Sequence, residues 1–191
     1  MALKDVGRKR LTSYESDASA EGLDCRLFYD QTRQEILRGF DWPFARKRQT
    51  LSQDTTTPDF EYAYRYQLPT DYLCTQKRAN NLEYDSDEED DRWTIEGNYI
   101  LTNDSSVELK YVSDIEDISK FDPLFTRILI LRLSLQLLPA GAGISGTAST
   151  RDRIERMLGN AEKKARTVAF QEDNTTGRSD WNNARSQDVA V

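Results

Sequence analysis

The chain contains no histidine among its 191 residues. Histidine is the commonest general base in enzymes and the commonest protein ligand of metal ions. Catalysis would therefore have to depend on carboxylates, lysine or tyrosine. This absence lowers the expectation of an enzyme without excluding one, and we expect no catalytic residue, no metal and no cofactor.

Cysteines and long apolar runs are also scarce. Cys25 and Cys74 lack the spacing of metal-binding or redox motifs, so we interpret them as free thiols in a reducing cytoplasm. A membrane-spanning helix needs about 20 apolar residues. The longest apolar run, 128–138, is interrupted by Arg132, Ser134 and Gln136, so we expect no membrane span. No apolar core follows the first charged residues, and we expect no signal peptide.

The composition is polar and acidic. Hydrophobic residues make up 37% of the chain, charged residues 31%, and the formal net charge is -7. The excess of acids lies in the middle third, since residues 61–120 hold 15 acidic and 6 basic side chains. A protein that grips nucleic acid would instead show a basic patch or stripe. The length suits one domain with a buried core and a polar tail.

Three helices are predicted by spacing and by end signals. The first runs from residue 21 to 40 and ends at Gly39 and Pro43. Asp122 and Pro123 suit the N-cap and first position of a second helix, which continues to residue 138. The third, from 149 or 150 to 170, has the clearest apolar stripe. Its members are Ile154, Met157, Leu158, Ala161, Ala165, Val168 and Ala169.

The middle of the chain predicts strands. Residues 60–68 alternate strictly, which is typical of a half-buried strand. One face would carry Phe60, Tyr62, Tyr64, Tyr66 and Leu68. Packing of this face against helices is favoured over a platform for stacking sugars or bases. Further strands are predicted at 92–96, 99–102 and 107–112, with a two-residue turn at Gly97-Asn98.

The predicted fold class is α+β: a helical bundle of three to four helices with an inserted antiparallel β meander and an extended C-terminal tail. The first 20 residues would form an arm with one or two helical turns. The expected divisions are an arm at 1–20, a bundle domain at 21–58 and 113–170, a β insertion at 59–112 and a tail at 171–191.

An acidic run packs six carboxylates into residues 85–91. A solvated hairpin tip is the favoured interpretation. A calcium site is the less favoured one, because an EF-hand loop needs a glycine at its sixth position and flanking helices. A third interpretation is a negative surface that keeps passing DNA from sticking.

Other charged residues also admit two interpretations. Glu61, Asp71, Glu96 or Asp114 would supply a carboxylate pair for glycoside hydrolysis, although a chain with 33 acids offers many such pairs. The basic triplet at 46–48 is more typical of a solvated turn than of an inter-subunit salt bridge in a ring.

The tail contains one tryptophan, Trp181, between Arg178 and Arg185. Its polar neighbours cannot bury the indole ring. Aromatic side chains flanked by arginine dominate binding hot spots. We therefore expect the tail to be disordered alone and to dock on a partner, in preference to a stray exposed tryptophan.

Two short blocks predict corners of the fold. In block 40–48, Pro43 ends a helix, and Trp42 and Phe44 anchor the reversal by burying their rings. In block 66–73, an aromatic strand ends at Leu68 and Pro69. We assign no catalytic role to either block.

The residues of these two blocks, and their order along the chain, resemble those of the head-to-tail adaptors (tail tubular protein A) of tailed bacteriophages, especially the short-tailed ones. Cys74 stands where that family often has arginine. The similarity extends to 107–112 and to 121–125, and covers roughly residues 18–170. The tail also resembles the family's Trp-x-x-Ala-Arg-like ending. Residues 1–13 are shorter than the family's usual first helix.

The resemblance implies a virion structural protein at the head-tail junction, assembled in the host cytoplasm. It implies a dodecameric ring that binds the portal protein, contacts the tail nozzle or other tail proteins, and lets double-stranded DNA pass without specific binding. Trp181 and Arg185, with Arg178 as a weaker candidate, become the portal-docking residues, and the β meander becomes the tail-side contact. The alternative is a tail-carried polysaccharide or peptidoglycan hydrolase that uses carboxylates.

Overall fold

The computed structural model describes residues 1–8, 11–40, 42–75, 93–138 and 147–173. Its contacts divide the chain into two compact units, Met1–Arg33 with Asp122–Val191, and Gln34–Phe121. These units reflect packing alone, and the domain boundaries expected from the sequence stay predictions. The described helices are α1 (Ala2–Asp5), α2 (Ala20–Gly39), α3 (Pro123–Leu137) and α4 (Thr147–Asp173).

The first unit is helical. Helix α3 begins as predicted, because the Asp122 carboxylate accepts hydrogen bonds from the backbone N–H groups of Leu124 at 2.7 Å and Phe125 at 3.3 Å. Arg132 on α3 donates to Glu162 on α4 at 2.8 Å. The apolar stripe of α4 faces inward, with Ile154 only 1% exposed. Two predicted helices of this unit are therefore confirmed.

The N-terminal arm packs into the first unit. Its single helical turn, α1, buries Ala2 and Leu3 in a cluster with Cys25 and Leu137. The Ser134 hydroxyl on α3, fully buried, donates to the Ile130 carbonyl at 2.7 Å. Burial of Ala2 and Leu3 thus holds the arm against the helices of this unit. The basic and polar sequence of the arm does not predict this packing.

The second unit contains two antiparallel three-stranded sheets. The strands are β1 (Arg46–Thr50), β2 (Tyr64–Gln67), β3 (Tyr72–Thr75), β4 (Trp93–Glu96), β5 (Tyr99–Thr102) and β6 (Glu108–Ser113). The first sheet has the order β1-β6-β3 and the second β2-β5-β4. Short 3-10 helices occupy Pro43–Ala45 and Ile118–Lys120. The α+β class is confirmed.

Sheet topology differs from a simple meander. Only β4 and β5 form the expected hairpin, with Gly97 at φ +58° in its two-residue turn. The turn at 103–106 carries the chain from one sheet to the other, since β5 and β6 have different partners. The solvated turn expected at 46–48 is wrong, because Arg46–Thr50 form strand β1 and pair with β6.

The strand predicted at 60–68 is shorter, beginning at Tyr64. Glu61 has φ +66°, which an extended strand cannot contain, and Phe60 is 75% exposed. The inward face then follows the expected alternation, with Tyr66 1% and Leu68 8% exposed. Tyr66 and Leu68 pack against residues of the two sheets and of the segments that connect the strands. The sequence predicted that helices would cover this face. The cluster comprises Leu51, Tyr66, Leu68, Ile100, Val107, Leu109 and Tyr111.

Some predictions lie outside the described residues. These are the acidic run 85–91 and the tail from residue 174 onward. The sequence predicts a tail that begins at residue 171, but α4 continues to Asp173.

Candidate functional site: a polar cluster and an acidic groove

The corner at block 40–48 is built around Trp42. This residue is 3% exposed, and its indole Nε1–H donates to the Ile36 carbonyl of α2 at 3.1 Å. Its ring lies 4.6 Å from that of Phe40 and 5.9 Å from that of Phe44, between centroids. Phe44 in turn lies 6.1 Å from Phe121. Four aromatic rings thus fix the end of α2 against the start of β1.

The corner at block 66–73 is held by backbone hydrogen bonds. The N–H of Leu68 donates to the Asn98 carbonyl at 2.8 Å, and the N–H of Tyr72 donates to the Pro69 carbonyl at 3.0 Å. The second bond closes a tight turn in which Pro69 fixes the backbone. This turn directs Asp71 toward the first sheet.

Asp71 is the centre of a polar cluster on the first sheet. Its Oδ1 accepts a hydrogen bond from the Tyr111 hydroxyl at 3.0 Å, and its Oδ2 forms an ion pair with the Lys47 ammonium. Its backbone carbonyl accepts the N–H of Asp114 at 2.7 Å. The buried Ser113 hydroxyl donates to the Ala45 carbonyl at 3.0 Å nearby. Every polar group of Asp71 named here therefore has a partner.

The cluster fixes two protonation states. Burial alone would raise the pKa of Asp71, but the hydrogen bonds from Lys47 and Tyr111 and the charge of Lys47 lower it below its ordinary value. Burial, together with the hydrogen bond to the Asp71 carboxylate and its charge, raises the pKa of Tyr111 to about 12. At neutral pH the carboxylate is ionised and the phenol protonated. This arrangement suits a permanent structural contact.

The three partners come from three separate parts of the chain. Lys47 belongs to block 40–48, Asp71 to block 66–73 and Tyr111 to the stretch 107–112. Strands β1, β3 and β6, which carry or adjoin these residues, form one sheet. Three segments that are far apart in the sequence thus meet at one carboxylate.

A groove of about 370 Å³ lies on the second sheet, on the face away from the apolar cluster. Strand register places Arg65 opposite Leu101, and Glu96 opposite Tyr99, on this outer face. The segment 56–62 forms the other wall. The groove therefore combines aromatic rings with carboxylates.

A strained turn displays two of the lining residues. The N–H of Tyr62 donates to the Phe60 carbonyl at 2.8 Å across Glu61, whose φ is +66°. This geometry is a γ-turn with positive φ, which is rare and strained for a residue with a side chain. It leaves Phe60 and Glu61 exposed at the rim of the groove.

The one arginine among the lining residues is already engaged. Arg65 donates to the Asp54 carboxylate at 2.8 Å, and its guanidinium lies 4.2 Å from the ring centroid of Tyr99. The pKa of Asp54 is lowered mainly by the hydrogen bond from the backbone N–H of Thr56. Desolvation opposes this shift, and the hydrogen bond and charge of Arg65 add to it. By contrast Asp59, Glu61 and Glu96 are exposed and form no ion pair with any described residue. The groove is accordingly acidic.

The structure separates the four carboxylates proposed for glycoside hydrolysis. Glu61 and Glu96 both line the groove. Asp71 belongs to the polar cluster, and Asp114 accepts a hydrogen bond from the Gln34 side chain at 2.8 Å. Only the first two share an accessible concave surface.

Sequence reasoning missed the polar cluster and the exposed Phe60. A usable signal exists for the cluster, because Tyr111 alternates with Val107 and Leu109 and so turns a hydroxyl inward that needs an acceptor. No comparable signal marks Glu61 as the centre of a γ-turn. The tail residues Trp181, Arg185 and Arg178 lie outside the described residues.

Further findings bear on the class of protein. Among the residues described, no three His, Cys, Asp or Glu side chains are grouped so as to hold a metal ion. None of the described helices combines the length and apolar composition that a membrane span requires. A scan against models of known protein families finds no match, and no curated protein matches the chain.

Proposed function

We propose that the chain is a virion structural protein, a head-to-tail adaptor that forms a ring between the portal and the tail nozzle of a bacteriophage. The ring extends the channel through which double-stranded DNA passes. Its mechanism is assembly, by insertion of the tail around Trp181 into the portal and by contact between neighbouring copies. The protein acts without catalysis and needs no cofactor.

The convergence on Asp71 carries this proposal. Three motifs that resemble the adaptor family contribute Lys47, Asp71 and Tyr111 to a single cluster. If the three short motifs resembled the family only by chance, there would be no reason for them to lie next to one another in the folded chain. Their contact supports the idea that they serve one scaffold, the one on which the adaptor function depends.

The docking step is tested with the portal protein of the same virus. We expect the double variant Trp181→Ala/Arg185→Ala to lose co-sedimentation with the portal by at least tenfold, because it lacks the aromatic and cationic anchors. A matched variant, Asn182→Ala/Asn183→Ala, should co-sediment normally. Unchanged co-sedimentation of the first variant, with an unchanged far-UV spectrum, would contradict the docking claim.

One observation favours a second candidate, a carboxylate-based polysaccharide or peptidoglycan hydrolase. Glu61 and Glu96 line one groove together with Phe60 and Tyr99, and aromatic rings with carboxylates suit sugar binding. Release of reducing sugar from host polysaccharide, abolished in Glu61→Gln/Glu96→Gln, would support this candidate. Absence of any turnover by the wild-type protein on host polysaccharide and peptidoglycan would oppose it.

A further inference from the structure

Helix α4 carries positive charge on the side that faces away from the core of the first unit. Its inner side is apolar, with Ile154, Ala161 and Ala165 buried. Arg156 and Lys163 lie on the opposite side of the helix, two turns apart, and both are exposed. We call this outer surface the basic stripe. Its cations are Arg153, Arg156, Lys163, Lys164 and Arg166, all of them exposed.

The helix separates these cations from the acids that alternate with them in the sequence. Glu162 lies on one flank of α4 and accepts a hydrogen bond from Arg132 of α3 at 2.8 Å. Glu155 lies on the same flank and forms an ion pair with Arg151 at 3.7 Å. Within residues 151–167, Asp152 remains as the one carboxylate of the basic stripe. The stripe therefore keeps a net positive charge in a chain whose net charge is -7.

Contacts within the described residues do not neutralise the stripe. Lys163, Lys164 and Arg166 form no ion pair with any residue that the structure describes. The guanidinium groups of Arg153 and Arg156 donate to backbone carbonyls at 3.5 Å and 3.3 Å, and these acceptors carry no net charge. The positive charge of the stripe is therefore available to an anion from outside the chain.

A glycine lies in the middle of the stripe. Gly159 is one turn from Arg156 and one turn from Lys163. A Cβ at this position would have no neighbour within 4 Å, so packing inside the chain does not require glycine here. Glycine also destabilises the interior of a helix relative to alanine. What it provides is a gap between two cations, where a backbone from outside can approach the helix closely.

The composition of the stripe favours a phosphate backbone over an acidic protein surface. The centre of a protein–protein interface is enriched in aromatic side chains and depleted in lysine. Residues 151–167 have the opposite composition, since they include Lys163 and Lys164 and no aromatic residue. A single-stranded nucleic acid would also need aromatic rings on which its bases stack. Contacts to the phosphates of a duplex, by contrast, come from lysine, arginine and polar side chains.

We infer that the basic stripe of α4 binds the phosphate backbone of double-stranded DNA without reading its sequence. At 1.5 Å per residue, the stripe spans about 16 Å from Arg153 to Lys164, a length over which a duplex carries about 10 phosphates. The negative charge of the rest of the chain weakens this binding, and a weakly held duplex can slide. The inference deepens the proposed function and rests on it for the source of the DNA, which is the duplex that passes through the ring.

Fluorescence anisotropy of a labelled DNA duplex tests the binding, with the full chain titrated at about 50 to 200 mM salt. We expect the stripe variant, Lys163→Gln/Lys164→Gln, to bind at least tenfold more weakly than the wild type. The slope of log affinity against log salt should fall by about 2, because two phosphate contacts are lost. Two duplexes of unrelated sequence should bind the wild type equally well.

A matched control removes the same charge at other exposed positions. Arg48→Gln/Arg127→Gln changes one cation of β1 and one of α3. Salt screens charges that lie far from the bound duplex, so the affinity should stay within about twofold of the wild type's.

A substitution at Gly159 separates binding from folding. Gly159→Gln fills the gap and replaces a poor helix former with a good one. We expect it to raise the unfolding midpoint and yet weaken duplex binding severalfold, which loss of structure could not cause. Unchanged binding by this variant would overturn close approach of the duplex at Gly159.

The outcomes separate this inference from the proposed function. A wild-type chain that leaves the anisotropy of the duplex unchanged at the lowest salt overturns the inference, and co-sedimentation with the portal would still support the adaptor. Equal losses in the stripe and control variants overturn the assignment to α4. If the wild type binds no duplex and the stripe variant loses ring assembly, the stripe contacts an acidic protein surface and DNA is overturned as its ligand. Duplex binding through the stripe by a chain that forms no ring keeps the inference and overturns the adaptor function.

Discussion

Asp71 and Glu61 are both carboxylates of the second unit, and their surroundings differ in almost every respect. Asp71 accepts hydrogen bonds from two side chains, one of them the buried Tyr111. Glu61 is exposed, forms no ion pair with a described residue and holds its backbone at φ +66°. The first arrangement stabilises the fold, whereas the second costs free energy and leaves charge available to a partner.

This difference separates scaffold from working surface. Residues that serve the fold satisfy one another's hydrogen-bonding groups, and substituting them lowers the free energy of unfolding. Residues that serve recognition are strained or lack polar partners in the isolated chain, and substituting them weakens assembly. The predictions below use stability as the readout for the two carboxylates.

The largest stability effect is expected at Asp71. Asp71→Ala leaves the Tyr111 hydroxyl without its acceptor, and Tyr111 is 2% exposed. We expect a loss of about 2 kcal/mol in the free energy of unfolding, measured by urea titration. Adding Tyr111→Phe removes the orphaned hydroxyl, so the double variant should lose less than the sum of the single ones. Strict additivity would show that the two groups do not interact.

The second-largest effect is a loss of stability at alkaline pH. The pKa of Tyr111 is raised to about 12 by burial and by Asp71, against about 10 in the unfolded chain. The folded state therefore holds the proton more tightly, and this stability is complete below pH 10 and lost as the pH rises through 12. At pH 11 the loss is about 1.4 kcal/mol. Tyr111→Phe should lack this component in urea titrations, and an identical alkaline profile in both proteins would contradict the assignment.

Asp71 titrates in the opposite sense. Its pKa lies below the ordinary value, so its contribution is complete above the unfolded pKa of about 4 and is lost as the pH falls below it. The polar cluster thus loses its stabilising contribution at alkaline pH through the Tyr111 phenol and at acid pH through the Asp71 carboxylate.

The third effect has the opposite sign and belongs to Glu61. A side chain at positive φ costs roughly 1 kcal/mol relative to glycine. Glu61→Gly should therefore be about 1 kcal/mol more stable than Glu61→Ala, which keeps the Cβ and also lacks the carboxylate. Thermal unfolding of the two variants measures the difference. Equal stability would mean that residue 61 does not adopt this backbone conformation.

The smallest stability effect is expected in the groove. Glu61→Gln/Glu96→Gln should change the free energy of unfolding by less than about 0.5 kcal/mol, since both side chains are exposed and lack ion partners among the described residues. A large loss of stability in urea would place these carboxylates with the scaffold and remove the contrast with Asp71.

Local signals predicted the elements that depend on local chemistry. Asp122 and Pro123 begin α3 by capping, and Gly97-Asn98 closes the β4–β5 hairpin. Strand β1 escaped prediction because Arg46–Thr50 is polar and does not alternate, and because its partner β6 lies about 60 residues later in the chain.

The candidate site was less predictable for the same reason. The sequence marks Asp71 only as one acid among many, because its partners Lys47 and Tyr111 come from distant strands. The groove depends on one backbone torsion at Glu61, which strict alternation of apolar residues concealed. Long-range pairing and a single strained residue leave no periodic signal.

The ring itself is tested most directly by mass photometry of the wild-type protein with and without the portal protein of the same virus. Twelve copies of the 22.0 kDa chain would add about 264 kDa to the portal as one discrete species. The account predicts this single added mass. A chain that remains a 22.0 kDa monomer beside an unchanged portal would contradict it.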